Sequence, residues 1–161
     1  MRTNTNRPGS GPAPRSLGEQ ELSQLLSEQK FGVLASLKRG GHAHLSTVLY
    51  NWSPGERLLR ISTTAGRIKA RHLRANPRAT LHVSGPNPWS YAVAEGLAEV
   101  SEPSRVPGDA VGRQLLALTP GFDDPADEAA FLEQMVADQR VVLTIAVSHL
   151  YGTTLDVPSG T

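Results

Sequence analysis

The sequence contains no cysteine among its 161 residues. This absence excludes disulfide bonds, thiolate nucleophiles and metal sites with cysteine ligands. The sequence also has almost no excess of positive or negative charge. It contains 16 Lys and Arg and 15 Asp and Glu, which gives a net charge of +1. A chain with so small a net charge lacks the overall field that draws a protein to DNA or to an anionic membrane. Any function that depends on positive charge must therefore be local.

Long apolar runs and familiar catalytic motifs are missing too. No stretch approaches the roughly 20 apolar residues that cross a bilayer, and the first residues contain no signal-peptide core. We therefore expect a cytoplasmic protein with no membrane partner. The chain has no GxSxG, HExxH or Walker A motif. His42 and His44 have a spacing that could place both on one metal, but no third ligand lies nearby in sequence, so we expect no metal site.

What the chain does contain is enough apolar material for one domain. Hydrophobic residues make up 39% of the sequence. Residues 1–16 and 153–161 are polar or rich in Gly and Pro, which predicts a disordered N-terminal tail and a polar C-terminal tail around a domain over residues 17–152. Ser16 and Glu19 have the spacing of a capping box, which predicts a first helix from about residue 17 to 29.

Alternating apolar residues, separated by turn residues, predict a mainly β fold with flanking helices. Gly96 falls inside one of the strands and predicts a bulge. The predicted strands span residues 31–37, 44–52, 57–63, 78–84, 89–101 and 141–147. Helical periodicity predicts helices over residues 66–75, 105–118 and 126–139, the last two in an insertion at about 103–140. This insertion is our candidate for a substrate pocket.

Residues 61–73 carry the strongest indication of chemistry. There a strand ends in three hydroxyl residues, a glycine lets the chain turn, and a helix opens with two basic residues. Hydroxyl donors, free backbone N–H groups and the positive end of a helix then converge, which is how proteins hold a phosphate. Surface charges beside an ordinary helix start would give the same pattern. The candidate phosphate ligands are Ser62, Thr63, Thr64, Arg67 and Lys69.

A nucleic-acid surface is one alternative for this basic segment. Arg71, Arg74 and Arg78 extend the basic stripe beyond the turn. Single-stranded nucleic acids bind proteins through stacking on aromatic side chains as well as through positive charge. Aromatic residues make up only 5% of the chain. We therefore expect no nucleic-acid partner.

Two aromatic residues form a second candidate contact. Trp89 and Tyr91 lie two residues apart on a predicted strand, so their side chains would share one face of the sheet. On that face they could flank a flat ring system. A core pair or a dimer-interface pair would explain them as well, and both roles are compatible if the ligand lies at the interface.

Several segments together resemble one superfamily. They are residues 31–37 (FGVLASL), 67–79 (RIKARHLRANPRA) and 89–96 (WSYAVAEG), with residues 135–144 and 148–152 similar to its closing strand. The chain resembles the pyridoxamine 5'-phosphate oxidase-like split β-barrel superfamily, and within it the deazaflavin (F420)-dependent oxidoreductases of the FDOR-B type. The resemblance covers about residues 20–152. It implies a six-stranded antiparallel split β-barrel that forms a homodimer.

The resemblance also assigns roles to individual residues. In this superfamily the cofactor lies in a groove between two subunits, with its phosphate at the turn between the third strand and the following helix. The phosphate contacts that it implies are Ser62, Thr63, Arg67 and Lys69. It further implies that Thr47 and Val48 lie along the ring, and that Trp89 and Tyr91 lie on the partner subunit's side of the groove.

One departure from the superfamily favours a particular cofactor. FMN-using oxidases carry an Arg and a Lys on the second strand, whereas residues 45–50 here read LSTVLY. This difference favours coenzyme F420 over FMN. Hydride chemistry then belongs to the deazaflavin ring, so we assign no catalytic side chain.

We therefore expect an F420-dependent oxidoreductase that transfers hydride to a small unsaturated or quinone-like acceptor. One alternative is an F420-binding or storage protein without a reaction of its own, since a cofactor site can exist without a substrate pocket. Another is an FMN-binding oxidase, against which the missing cations of the second strand speak. A haem-handling barrel is the last, and the chain offers no convincing axial histidine for it.

Overall fold

The computed structural model describes residues 11–156, and within them eight strands and four helices. The strands are β1 (Arg15–Ser16), β2 (Phe31–Leu37), β3 (Ala43–Leu49), β4 (Asn51–Ser53), β5 (Leu58–Thr64), β6 (Arg78–Ser84), β7 (Tyr91–Val100) and β8 (Arg140–Thr154). The helices are α1 (Glu19–Glu28), α2 (Ile68–Ala75), α3 (Ala110–Ala117) and α4 (Pro125–Ala137). None of these helices is long and apolar enough to cross a membrane.

All the strands belong to one antiparallel sheet. Its order is β3-β2-β6-β7-β8-β5-β4, and β1 pairs with β8. β3 and β4 stand at the two ends of this order, yet only Tyr50 separates them in the chain. The sheet therefore curls, which confirms a mainly β, antiparallel fold consistent with a split barrel. Six strands were predicted and eight are present, because β1 is added and the second predicted strand is divided at Tyr50.

The core lies inside the curled sheet. Along β5 the side chains alternate, so that Leu59 and Ile61 are buried while Ser62 is exposed. α1 packs against β4, β7 and β8 and contributes Leu26, which is fully buried. The hydroxyl of Tyr50 donates a hydrogen bond of 2.6 Å to the carbonyl of Leu26. The same residue that divides β3 from β4 thus ties the sheet to α1.

The domain extends further at both ends than the sequence predicts. Arg15 and Ser16 pair with Thr154 and Thr153 at the end of β8, so the prediction that these four residues belong to tails outside the domain is wrong. Composition does not show that two polar segments hydrogen-bond to each other. The remaining parts of the predicted tails that fall on residues 1–10 and 157–161 lie outside the described residues.

The start of α1 also differs from the prediction. Gly18, not Ser16, is the N-cap, and its backbone N–H donates to the Glu21 carboxylate at 2.8 Å. The predicted capping box with Glu19 is therefore wrong by two residues. Gly18 has no side-chain acceptor, so only the carboxylate half of such a box is present.

The predicted bulge in β7 is confirmed. The pairing of β7 with β8 shifts register between Glu95 and Gly96. A Cβ atom at position 96 would lie 2.1 Å from the carbonyl oxygen of Ala146. Only glycine lets the two strands approach this closely.

The insertion builds a second, small core outside the barrel. Leu115 of α3 and Met135 of α4 pack against Val142 of β8. The Asp109 carboxylate caps α3 by accepting from the backbone N–H of Gly112 at 2.8 Å, and it also accepts from the N–H of Arg105 at 2.8 Å. These hydrogen bonds, that of Arg105 foremost, lower the pKa of Asp109 to about 2. The predicted helices are confirmed, and they stand over the outer face of the sheet.

Candidate functional site

A cavity of about 370 Å³ opens beside the end of β5, at the start of α2. β4 is hydrogen-bonded to β5, but β3, which precedes Tyr50, is not. β3 and the end of β5 are therefore separate and leave room between them. We call this space the basic cavity. Its lining residues are Thr47, Val48, Leu49, Ser62, Thr63, Thr64, Arg67, Lys69 and Arg140.

The basic cavity brings together seven of the nine residues that the sequence predicts for the site. Ser62 is exposed and Thr64 is half-buried, while Thr63 belongs to the buried alternate set of β5 and is 5% exposed. Arg67 is the N-cap of α2, and its guanidinium, which contains donors only, does not cap the backbone N–H groups of the helix. The first turn of α2 contains no acidic residue either. The positive end of the helix is therefore left for an external acceptor.

The charge of the basic cavity is only partly compensated. Arg67, Lys69 and Arg140 line it, and no Asp or Glu does. Among the described residues, neither Arg67 nor Lys69 takes part in an ion pair. Partial burial, together with the nearby charge of Arg67, lowers the pKa of Lys69 from its ordinary value of 10.5. A bound phosphate would neutralise these cations and accept hydrogen bonds from the surrounding hydroxyls.

Arg140 is a site residue that sequence reasoning missed. It opens β8 and is the antiparallel partner of Thr64 on β5. Its Nη1 lies 3.4 Å from the Ser62 hydroxyl oxygen, and its Nε is buried with no hydrogen-bond partner among the described residues. Asp138 approaches this Nε only to 3.9 Å. The signal that could have found Arg140 is the pairing of the closing strand with β5, which places its first residue beside the phosphate turn.

Trp89 and Tyr91 do not reach the basic cavity. The prediction that they share a strand face is wrong, because β7 begins at Tyr91 and Trp89 belongs to the preceding turn. The backbone N–H of Trp89 donates to the Asn87 side chain at 2.9 Å, which stabilises that turn. Trp89 is 60% exposed, and Tyr91 stacks on His82 with ring centroids 5.2 Å apart. Their place opposite a partner subunit stays a prediction.

His42 and His44, whose spacing could suit a metal, have different surroundings. His42 is exposed beside the β2–β3 turn, whereas His44 packs edge-on against His72 at 5.5 Å between ring centroids. The Nδ1 of His72 lies 3.2 Å from the Ser36 hydroxyl. Within residues 11–156, no three side chains of His, Asp or Glu lie together as metal ligands would.

A second cavity of about 320 Å³ adjoins the basic cavity under α3 and α4. We call it the helix-roof cavity. It shares Leu49, Ser62 and Arg140 with the basic cavity. Its other walls are Tyr50, Asn51 and Arg60 of the sheet and Leu115, Leu118, Thr119, Phe131 and Met135 of the insertion. The insertion thus contributes the apolar wall of a pocket next to the phosphate turn.

The comparison with family models shows the family of this chain. The model of the pyridoxamine 5'-phosphate oxidase family matches residues 19–153. The chain belongs to this family. The match spans the whole sheet except β1 and the last residue of β8, and it includes both cavities.

Solved structures agree with this family fold. An F420 reductase is 27% identical, with 80% of this chain and 94% of that chain covered and a TM-score of 0.56. A FAD-binding protein from Mesorhizobium loti is 23% identical, with 89% and 97% covered and a TM-score of 0.62. A conserved hypothetical protein from Mycobacterium tuberculosis is 20% identical, with 94% of both chains covered and a TM-score of 0.67. The last two likenesses show the fold alone.

Proposed function

We propose that this member of the pyridoxamine 5'-phosphate oxidase family is an F420-dependent oxidoreductase of the FDOR-B type. It would transfer hydride from the reduced deazaflavin to a small unsaturated or quinone-like acceptor. The observation that carries the proposal is the basic cavity, where three cations and several hydroxyls converge and where Arg67 and Lys69 have no ion-pair partner among the described residues. The likeness to an F420 reductase at 27% identity supports a deazaflavin as the cofactor.

The residues of the basic cavity fit the phosphate of such a cofactor. The Arg67 guanidinium can donate to two phosphate oxygens, and the Lys69 ammonium supplies a compact charge. The Ser62 and Thr64 hydroxyls offer further donors at the end of β5. Arg140 adds a third cation, whose Nε has no hydrogen-bond partner within the described part of the chain and lies 3.9 Å from the Asp138 carboxylate. These groups bind and orient the cofactor.

No side chain of the cavity is assigned a proton-transfer step. When bound, the reduced deazaflavin would supply a hydride, which carries both electrons to the acceptor, and the proton that the oxidised deazaflavin releases would balance the proton that the acceptor takes up. The protein contributes placement of the two reactants and exclusion of water. The walls of the helix-roof cavity, which adjoin the basic cavity at Leu49 and Ser62, are suited to that task.

The outward face of β3 supports F420 in preference to FMN. FMN-using relatives would place cations on this strand, whereas Leu45 and Leu49 are 63% and 58% exposed here. Thr47, between them, is also exposed. No positive side chain projects from this face of β3, so the strand offers apolar contact to a ring and no second anion site.

A homodimer with the cofactor at the subunit interface is part of the proposal. Phe31 lies opposite Leu49 in the β2–β3 pairing and is 63% exposed, so the two strands present a continuous apolar face. Monomeric proteins seldom expose large contiguous apolar patches. We expect sedimentation to give a dimer, and the double change Phe31→Asp and Leu45→Asp to give a folded monomer. A wild-type monomer would contradict this part of the proposal.

Equilibrium titration of the purified protein with F420 and with FMN tests the cofactor. We expect saturable binding of F420 and much weaker binding of FMN; binding of FMN alone would overturn the proposal. Oxidation of bound reduced F420 by quinones and enones then tests the reaction. Lack of turnover with every acceptor would favour a cofactor-binding protein without its own reaction.

A further inference from the structure

The helix-roof cavity has one apolar side and one positive side. Leu115, Phe131 and Met135 of α3 and α4 form the apolar side. Arg60 and Arg140 project into the cavity from the sheet, and no Asp or Glu lines it. Its volume of about 320 Å³ falls within the range of small-molecule sites. Such a cavity suits an organic anion with an apolar body.

The two arginines lie at different positions along β5. Arg140 is paired with Thr64 and its Nη1 reaches the Ser62 hydroxyl, whereas Arg60 lies two residues before Ser62, about 7 Å further along the strand. Arg140 lies at the end that is shared with the basic cavity, whereas Arg60 lines the helix-roof cavity alone. The phosphate end is therefore next to Arg140, and Arg60 is left for a second anion.

Arg60 keeps donors for such an anion. Its Nη2 donates to the Glu56 carboxylate at 2.9 Å, but the Glu56 side chain is 58% exposed. An exposed ion pair of this kind is weak, and the guanidinium has five N–H donors in all. The Arg60 side chain itself is only 27% exposed. A carboxylate that enters the cavity can therefore pair with Arg60 while Glu56 stays in place.

We infer that the helix-roof cavity binds the hydride acceptor, and that this acceptor is an organic anion with an apolar body. Its charged group pairs with Arg60. Its apolar part lies against Leu115, Phe131 and Met135. It extends toward Leu49, which belongs to the face of β3 that the proposed function sets against the deazaflavin ring. That the anion receives the hydride rests on the proposed function, whereas its binding in the helix-roof cavity does not.

Calorimetry of the full-length protein with 2-naphthoate tests this inference, with 2-naphthylmethanol as the neutral probe of the same shape. We expect the naphthoate to bind about tenfold or more tightly than the alcohol, the value of a charge-assisted hydrogen bond. Arg60→Met removes the charge and keeps the length of the side chain. It should remove most of the preference for the anion and leave alcohol binding unchanged.

Arg39→Met is the matched control, because Arg39 lies in the β2–β3 turn and lines neither cavity. It should leave the preference intact. Equal binding of the two probes by the wild type, or an unchanged preference in Arg60→Met, would overturn the inference. Loss of naphthoate binding on saturation with F420 would also overturn it, because Arg60, which holds the anion, does not line the basic cavity. A wild type that binds naphthoate but no F420 would overturn only the proposed function.

Discussion

The basic cavity and the helix-roof cavity share three wall residues, yet their remaining walls differ in chemistry. Hydroxyls and the cations Arg67 and Lys69 complete the first, whereas apolar side chains of α3 and α4 complete the second. Both open from the same edge of β5. The inserted helices α3 and α4 line the helix-roof cavity and not the basic cavity. A charged group in the basic cavity and an apolar group in the helix-roof cavity can therefore be held next to each other.

Removal of the Lys69 charge should give the largest difference between the two cavities in ligand affinity. Lys69→Ala should weaken F420 binding by about 1.5 to 3 kcal/mol, the value of a hydrogen bond to a charged group. Binding of 2-naphthoate should not change, because Lys69 lines the basic cavity alone. Fluorescence titration measures the first effect and calorimetry the second. Lys38→Ala, in the β2–β3 turn, is the control, and an unchanged affinity for F420 in Lys69→Ala would count against the site.

Loss of the shared Arg140 should affect ligand binding in both cavities. Arg140→Met should weaken F420 binding by about 1 kcal/mol, less than Lys69→Ala, because part of its donor capacity is directed at Ser62. It should also weaken 2-naphthoate binding, but by less than Arg60→Met. Arg71→Met, on the exposed side of α2, is the matched control. If Arg140→Met left both ligands unaffected, the two cavities would not be coupled through this residue.

The pH dependence of binding should distinguish the cavities by a smaller effect. Burial, and then Arg67, lower the pKa of Lys69 in the free protein, and a bound phosphate raises it again. Affinity for F420 should therefore be constant below the lowered pKa, and fall as the pH rises from there to the pKa of the bound state.

Lys69→Arg should remove this alkaline decrease, because a guanidinium stays charged throughout. Binding of 2-naphthoate should show no matching change in the same range. Titrations over a series of pH values measure both ligands. An alkaline decrease that persists in Lys69→Arg would mean that another group is responsible.

The two cavities also differ in how far the sequence predicts them. The turn that carries Ser62, Thr64, Arg67 and Lys69 is one continuous segment, so its local pattern of strand, hydroxyls and basic helix start is visible in the sequence. Arg140 is more than 70 residues away in the chain and reaches the site only through the pairing of β8 with β5. That pairing is a property of the sheet, and no local pattern contains it.

The helix-roof cavity depends on still longer connections. Helical periodicity predicts α3 and α4, but not that Leu115 and Met135 pack on Val142 and leave a space above Ser62. Trp89 shows the opposite failure, in which a local reading is wrong. Its aromatic character favours a strand, but the Asn87 side chain holds the preceding residues in a turn. Local polar contacts of this kind override a two-residue periodicity.

The central claim is that the basic cavity holds the phosphate of a deazaflavin cofactor. Equilibrium titration of the wild type and Lys69→Ala with F420, and with the same deazaflavin lacking its phosphate-bearing tail, tests this claim most directly. The wild type should bind F420 at least about tenfold more tightly than the truncated deazaflavin, and Lys69→Ala should close most of that gap. Equal affinity of the wild type for the two compounds would contradict the account.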